Sequence, residues 1–342
     1  MKILRAYGIP DKLVQLIECS YRDILAQIKT EDGLSGVIQI LAGVLQGDTL
    51  APYLFIIVID YVMRETLAGR DVGFTLRRRL SSRYPEVKIS DTGYADDLSL
   101  ISDTVVQAQE FLESLEKSAA AVGLYLNEDK TKFMSSGLDA PIITSASGLS
   151  LEHVQDFVYL GSHLKSSEYD FNIRKAKAWA ACHKMKSIWN TDLRRDIKIR
   201  LFRATVEAIL LYGSETWTVT SSLAKRLDGC YSRMLRMALG VCWWEKLSNA
   251  EVFKELLPAS VVTQQRRMRL SGHIHRHSDL SAHHLLLWEP DRGTRNRGRP
   301  RMTFLDLLKK DTGLDNTREI GRLMTDRDLW RSNIYARTLK PT

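Results

Sequence analysis

Cysteine is scarce in this chain. Only Cys19, Cys182, Cys230 and Cys242 occur in 342 residues, and no two of them form a CxxC pair. That excludes a disulfide-stapled secreted scaffold and fits free thiols in a reducing interior. Long apolar runs are missing as well. The longest, "LAPYLFIIVIDYVM" (50–63), contains an aspartate and falls short of the roughly 20 residues that span a bilayer, so no membrane partner is expected. The opening "MKILRAYGIPDKL" has charge but no apolar stretch of leader length. A secreted protein is therefore not expected; an intracellular one is, in nucleus or cytoplasm. Internal repeats are absent, and "EPDRGTRNRGRPRM" is the one compositionally biased segment.

What is present is ordinary in bulk and uneven in distribution. Hydrophobic residues make up 44% and charged residues 26%, typical of a globular protein of two or three domains. Residues 1–171 hold 16 Lys and Arg against 24 Asp and Glu, whereas residues 172–342 hold 33 against 17. The first half suits a site that gathers cations, and the second has the electrostatics of a polyanion binder.

Periodicity divides the chain in the same way. Residues 11–28 read as an amphipathic helix running into a strand. "AQIKTEDGLSGVIQI" reads as a hairpin turned by Asp32-Gly33. "GVLQGDTLAPYLF" is a loop entering a long helix, with Thr49 as its cap, Pro52 in its first turn and Gly69 at its end. Leu54, Ile57, Val58, Tyr61 and Val62 form its apolar stripe. Asp103 or Thr104 caps a second helix that carries Val105, Ala108, Leu112, Leu115 and Ala119 on one face. "LYLNEDKTKFM" reads as strand, turn and strand, and "DFVYLGSHL" as a further hairpin. From residue 170 the pattern is helical over 172–190, 195–212 and 221–240, and short helices follow. The expected fold class is α+β, an antiparallel sheet with helices packed on one face, followed by helical segments.

"KISDTGYADDLSLIS" (88–102) carries the chemistry. Adjacent side chains of a strand point to opposite faces, but a tight turn lets Asp96 and Asp97 reach one side. Two like charges that close repel each other and need a cation to compensate. Hard carboxylate oxygens suit Mg²⁺, which keeps positions open for water and phosphates. A pair of such ions about 4 Å apart can activate a hydroxyl and stabilise departing pyrophosphate. Upstream, Gly47 and a helix start let backbone N–H groups approach a nucleotide, and Gln46 can bond a base or sugar. Lys130 stands in a turn where an ammonium could meet a phosphate.

In this order the segments resemble the polymerase core of non-LTR (LINE-type) retrotransposon reverse transcriptases. "GVLQGDTLAPYLFIIVIDYVMR" is similar to the family's nucleotide-handling loop and helix, and "GYADDLSLIS" to its catalytic hairpin. "GLYLNEDKTKFM" is similar to its lysine-bearing turn, and "FVYLGSHL" to its primer-grip hairpin. "IRKAKAWAACHKMKSIWNTDLRRDIKIRLFRATVEAILLYGSETW" resembles the helical thumb; "RRMRLSGHIHRHSD" and "GRPRMTFLDLLKKD" resemble the C-terminal segment. The resemblance implies partial fingers and palm over 1–165, a thumb-like region over 166–245 and a basic accessory region over 246–342. It implies copying of an RNA template from a DNA primer with deoxynucleotides and Mg²⁺ (or Mn²⁺). Asp96 and Asp97 would be the metal ligands and, with Lys130, the catalytic residues. Gln46, Gly47, Tyr94 and Ala95 would touch nucleotide or template.

The family's site also takes a third aspartate from an apolar strand that precedes the "LQGD" loop. Upstream of Gln46 only Asp11, Asp23 and Asp32 are available, at a helix start, within a helix and in a turn; Asp48 and Asp60 are poor substitutes. The chain is therefore expected to be an N-terminally truncated fragment with little polymerase activity alone. A non-catalytic RNA- or DNA-binding protein is the alternative.

Arg194, Arg195, Lys198, Arg200 and Arg203 are candidates to line a thumb helix against duplex backbone. Arg295, Arg297, Arg299 and Arg301 of "DRGTRNRGRPR" form a Gly- and Pro-interrupted arm suited to phosphates. "HIHRH" (273–277) with His283 and His284 does not match the spacing of a compact zinc site, so no zinc is expected. The seven tryptophans read as core anchors, with Trp243-Trp244 the pair most worth watching.

Overall fold

The computed structural model describes residues 1–31, 33–79, 81–83, 85–136, 141–254, 256–289 and 302–338. These form two compact units, one of Met1–Thr75 with Lys88–His153, the other of Leu76–Val87 with Val154–Thr342.

The first unit opens with α1 (Lys2–Ala6) and α2 (Asp11–Ser20). Asp23 lies beyond the helix end, at φ +55°, and not within the helix as expected. β1 (Ile24–Ala26) pairs antiparallel with β4 (Ile38–Ile40), enclosing a tighter pair, β2 (Lys29–Thr30) with β3 (Gly33–Leu34). The expected hairpin is thus two nested ladders; Asp32, at its tip, lies outside the described residues. α3 (Ala51–Leu67) follows. Thr49 does not cap it; the Asp48 carboxylate accepts the Leu50 N–H instead, at 3.1 Å. Of the expected stripe only Val62 is buried, because α3 turns Ala51, Val62, Met63 and Thr66 to the core and half-exposes the rest.

β5 (Phe74–Arg77) pairs with β6 (Val87–Ile89), and β7 (Asp91–Tyr94) with β8 (Asp97–Leu100). α4 (Val105–Ala120) is capped by Thr104, whose hydroxyl accepts the Gln107 N–H at 3.2 Å. Val62, Met63, Val72, Phe111 and Leu115 form one core, against which Leu98 and Leu100 of β8 pack. Phe111 is fully buried; such a side chain contributes about 1.5–3 kcal/mol relative to exposure. Leu124–Leu126 is loop, not strand; only β9 (Lys132–Phe133) forms after the lysine-bearing turn, and it pairs parallel with β10 (Glu152–His153). The fold is mixed α+β, but among the described residues its strands form six two-stranded pairs and not one antiparallel sheet. Most of them are only two or three residues long.

The second unit begins with β11 (Val158–Tyr159) and β12 (Ser162–His163). Leu160 and Gly161 turn this hairpin with φ of +48° and +81°, the doubly positive pattern that matches strand twist. Helices follow: α5 (Ser167–Lys184), α6 (Lys186–Trp189), α7 (Arg195–Phe202), a π-turn (Arg203–Glu207), α8 (Ala208–Leu210), α9 (Ser221–Leu239) and α10 (Asn249–Phe253). α11 (Ala259–Arg276) is 18 residues long, longer than the short helices expected there, and α12 (Ser281–Leu286), α13 (Phe304–Thr312), α14 (Thr317–Thr325) and α15 (Arg327–Thr338) pack around it.

Asp170 of α5 is 2% exposed and binds three ways. It accepts the Trp217 indole N–H at 2.9 Å and the His163 backbone N–H at 3.2 Å, and lies 3.7 Å from the Arg174 guanidinium. Arg174 in turn donates to the Gly161 carbonyl and covers the Tyr212 ring at 4.3 Å, while Tyr212 donates to Leu160 O. Gly213 must be glycine here: at φ +69° a Cβ would stand 2.6 Å from Ser162 Oγ. One carboxylate thereby ties the β11–β12 hairpin to the helices. Asp170→Ala should cost about 3–5 kcal/mol, because it strands a buried guanidinium and an indole N–H. Urea unfolding of the two proteins checks this, and a change under about 1 kcal/mol would show the pair to be dispensable.

Candidate functional site

The acidic turn is the tip of the β7–β8 hairpin. Asp91 faces Leu100, Thr92 faces Ser99, Gly93 faces Leu98 and Tyr94 faces Asp97, which leaves Ala95 and Asp96 as the two-residue turn. Ala95 takes φ +55°, a left-handed conformation that costs a non-glycine residue about 1–2 kcal/mol. Gly93 admits the Leu98 side chain, whose Cδ2 would lie 2.9 Å from any Cβ there. Leu98 and Leu100 anchor the base of the hairpin in the core, while Tyr94, Ala95, Asp96 and Asp97 are all exposed at its tip. The local fold therefore presents two carboxylates to solvent on a short, core-anchored ribbon.

Gln46 and Gly47 lie in the loop before α3, both exposed, with Gly47 at φ +94°. This loop is held by a contact that the sequence did not reveal. Tyr21, just past the end of α2, donates its hydroxyl to Asp48, which also takes the Leu50 N–H. The Tyr21 hydroxyl is the main reason that the Asp48 carboxyl titrates below its ordinary range; the same bond pushes Tyr21 up. Asp60 is engaged in a similar manner, accepting from the Tyr7 hydroxyl at 2.6 Å and pairing with Arg64 at 2.8 Å. Both aspartates are therefore committed to structure.

Lys130 is exposed in the Asn127–Lys130 turn, where its backbone N–H caps back onto Asn127. All these positions belong to the first unit and reach its surface on three separate loops. Two carboxylates of hard oxygen suit a divalent cation. Among the described residues, however, no group of three or more His, Cys, Asp and Glu side chains converges as a metal cluster would need.

The basic thumb candidates fare unequally. Arg195 and Lys198 turn inward, donating to the carbonyls of Val252 at 2.6 Å and Trp189 at 2.8 Å. Arg194 is clasped bidentately by Asp196, at 3.1 and 2.9 Å. Arg203 sits 3.7 Å from the buried Glu207, and Arg200 is exposed. Arg295, Arg297, Arg299 and Arg301 lie outside the described residues. His275 and His283 stack with centroids 5.4 Å apart; burial, and then His283, hold His275 below its usual range.

Comparison with known proteins decides the family of the first part. Residues 1–164 match the reverse transcriptase (RNA-dependent DNA polymerase) family. An uncharacterised transposon-derived protein of Caenorhabditis elegans is 25% identical over 237 residues, 65% of this chain and 85% of that one. The Pol polyprotein of a type-1 R2 retrotransposable element of Popillia japonica is 24% identical, covering 69% of this chain and 39% of its own length. The RNA-directed DNA polymerase of the mobile element jockey of Drosophila funebris is also 24% identical, over 70% of this chain and 26% of its own. Residues 1–164 are a reverse transcriptase domain of the non-LTR retrotransposon type. The chain thus spans most of the nematode relative but well under half of the longer polyproteins.

Enzymes of the reverse transcriptase family use divalent metal ions, a nucleic-acid template and primer, and nucleotide substrates. No described helix of this chain is long and apolar enough to cross a membrane. Because Asp48 is held below the ordinary aspartate value, its bond contributes stability above that value and loses it as pH falls through the lowered folded pKa. Tyr21→Phe should abolish this acid-labile component. Thermal midpoints collected from pH 6 down to pH 2 should then show a shallower acid decline in the variant; superimposable slopes would mean the Tyr21–Asp48 bond does not form in solution.

Proposed function

We propose that this chain carries the nucleotidyl-transfer hairpin of an RNA-directed DNA polymerase, with Asp96 and Asp97 as the ligands of Mg²⁺ or Mn²⁺. The observation that carries the reading is the pair of exposed carboxylates at the tip of β7–β8, inside a reverse transcriptase domain. Tyr94 and Ala95 flank that pair, and Gln46 and Gly47 supply the nucleotide- or template-facing loop. Lys130 offers an ammonium to the phosphate side and Arg200 offers charge to nucleic-acid backbone, which Arg194 and Arg203 join by exchanging Asp196 and Glu207 for phosphate. The division into partial fingers and palm (1–165), thumb-like helices (166–245) and a basic accessory region (246–342) belongs to the same reading, as does the antiparallel-sheet palm.

The residues fit a single hard cation better than a pair. A divalent ion, when bound, supplies Lewis acidity and charge neutralisation at a reacting phosphate. The chain's own contribution is two anchoring oxygens donors on one hairpin, and among the described residues no third acidic ligand joins them. The chain by itself is accordingly a weak metal binder and a poor polymerase. A second reading, non-catalytic binding of RNA or DNA, is favoured by the surplus of 33 Lys and Arg over 17 Asp and Glu in residues 172–342.

Primer extension on an RNA template with deoxynucleotides and Mg²⁺ tests the first reading, beside Mn²⁺ binding followed by electron paramagnetic resonance. The expected result is no extension above background, together with Mn²⁺ binding that the Asp96→Asn, Asp97→Asn double variant loses. Extension abolished by Asp96→Ala would overturn the incomplete site. Mn²⁺ binding unchanged in the double variant would overturn the ligand assignment. For the binding reading, affinity for duplex should fall by roughly 10³ or more between 50 and 200 mM salt if six or more phosphates are neutralised; a flat response would sink it.

A further inference from the structure

Five of the seven tryptophans are buried or half-buried, and four of those donate their indole N–H to a protein acceptor: Cys182 O, Asp170 Oδ2, Leu76 O and Met268 O. Trp243 and Trp244 depart from this pattern. They are 86% and 63% exposed, although a tryptophan is among the residues that gain most from burial. Their rings stand edge to face, 82° apart with centroids at 5.9 Å, so each keeps a separate π-face.

The exposure does not come from a loose loop. Val241 and Leu247, on either side of the pair, pack against the main helical core. Gly240, at φ +71°, ends α9, and the Val241 N–H bonds back to Arg236 O at 2.9 Å. Glu245 accepts the Cys242 N–H at 2.7 Å, and Arg236 donates to Leu247 O at 2.8 Å and to Asn249 Oδ1 at 3.1 Å. Both ends are tied down and two indoles are held outward.

One exposed cation stands beside the pair. Lys246, at φ +53°, is exposed two residues after Trp244, while Glu245 is turned to the Cys242 N–H. Arg195 reaches Val252 O, which brings the basic start of α7 beside α10.

We propose that the Trp243–Trp244 loop is a base-stacking platform for single-stranded nucleic acid. Flat, rigidly held aromatic faces beside an exposed ammonium group are what unstacked bases on a phosphate backbone require, and the recognition is sequence-tolerant because every base has a π-face. A paired duplex hides those faces, so the platform discriminates against it. The proposal rests on the nucleic-acid-handling reading above but not on polymerisation.

The test uses the full chain without metal or nucleotides. Fluorescence anisotropy is recorded with a labelled 20-nucleotide polypyrimidine DNA strand and with the same strand fully paired. Trp243→Ala with Trp244→Ala should weaken single-strand binding by roughly 5- to 150-fold per stacked base, leave duplex binding unchanged, and be rescued in large part by Phe at both positions. Both sites are exposed, so the far-ultraviolet circular dichroism and melting temperature should not move. Unchanged single-strand binding, or equal loss for strand and duplex, overturns the platform. So does self-association that sedimentation finds in the parent and not in the variant, which would assign the pair to a second copy of the chain. Failure of the metal-ligand reading looks different: Mn²⁺ binding unchanged in the Asp96→Asn, Asp97→Asn double variant, with tryptophan-dependent strand binding intact.

Discussion

A buried carboxylate on α5 ties the β11–β12 hairpin to the helices of the second unit. Asp170 is almost wholly removed from water, where an isolated charge would be prohibitive, and its setting compensates from three elements at once: an indole N–H from Trp217, a backbone N–H from β12, and the guanidinium of Arg174. Arg174 passes the constraint onward to Gly161 O and the face of Tyr212. The β11–β12 hairpin has only two residues per strand and could not persist alone. It persists because its turn is stitched through Arg174 to a helix that also carries Phe171, Ala178 and Cys182 into the main core. A second buried ion pair, Arg267 with Asp311, repeats the device farther along, at 2.7 Å. Burial pushes the Asp311 carboxyl up and the guanidinium opposes it.

The acidic hairpin of the first unit is built on the opposite principle. Its anchoring is apolar, through Leu98 and Leu100, and its charges are left in water at the tip. An exposed carboxylate exchanges water for a cation at far smaller cost than a buried one. A left-handed alanine at the turn adds a small strain that the core contacts of the strands below it offset. Two short ribbons thus serve different ends: one is locked by buried charge, the other presents charge.

Much of this was readable one segment at a time. The "YADD" turn, the loop around Gln46 and Gly47, the Asn127–Lys130 turn, the β11–β12 hairpin and the helical stretches between residues 167 and 239 follow from local pattern and occur close to where that pattern puts them; the long α11 does not. What was not readable depended on residues far apart in the chain. The bond from Tyr21 to Asp48 crosses 27 positions, and that from Trp217 to Asp170 crosses 47. Arg195 and Lys198 carry the same charge as Arg200, yet they cap carbonyls of Val252 and Trp189, because the turn of α7 points them at the bundle. The loop at Leu124–Leu126 and the half-exposed stripe on α3 depart from the local pattern for a related reason: an apolar residue reports that burial is favourable, not that a partner is within reach.

The amino-acid order by itself determined the family, the acidic turn, the uneven charge of the two halves and the helix-forming segments, since each rests on spacing or composition within a few residues. Only the tertiary structure decided which charges are spent and which remain. Asp48, Asp60, Arg195 and Lys198 are consumed by hydrogen bonds inside the fold, and Asp170 by a three-way clasp. Asp96, Lys130, Arg200 and the Trp243–Trp244 pair stay at the surface. The reason is geometric. A side chain's chemistry is set by its covalent structure, but whether it meets water or a partner is set by how distant segments pack.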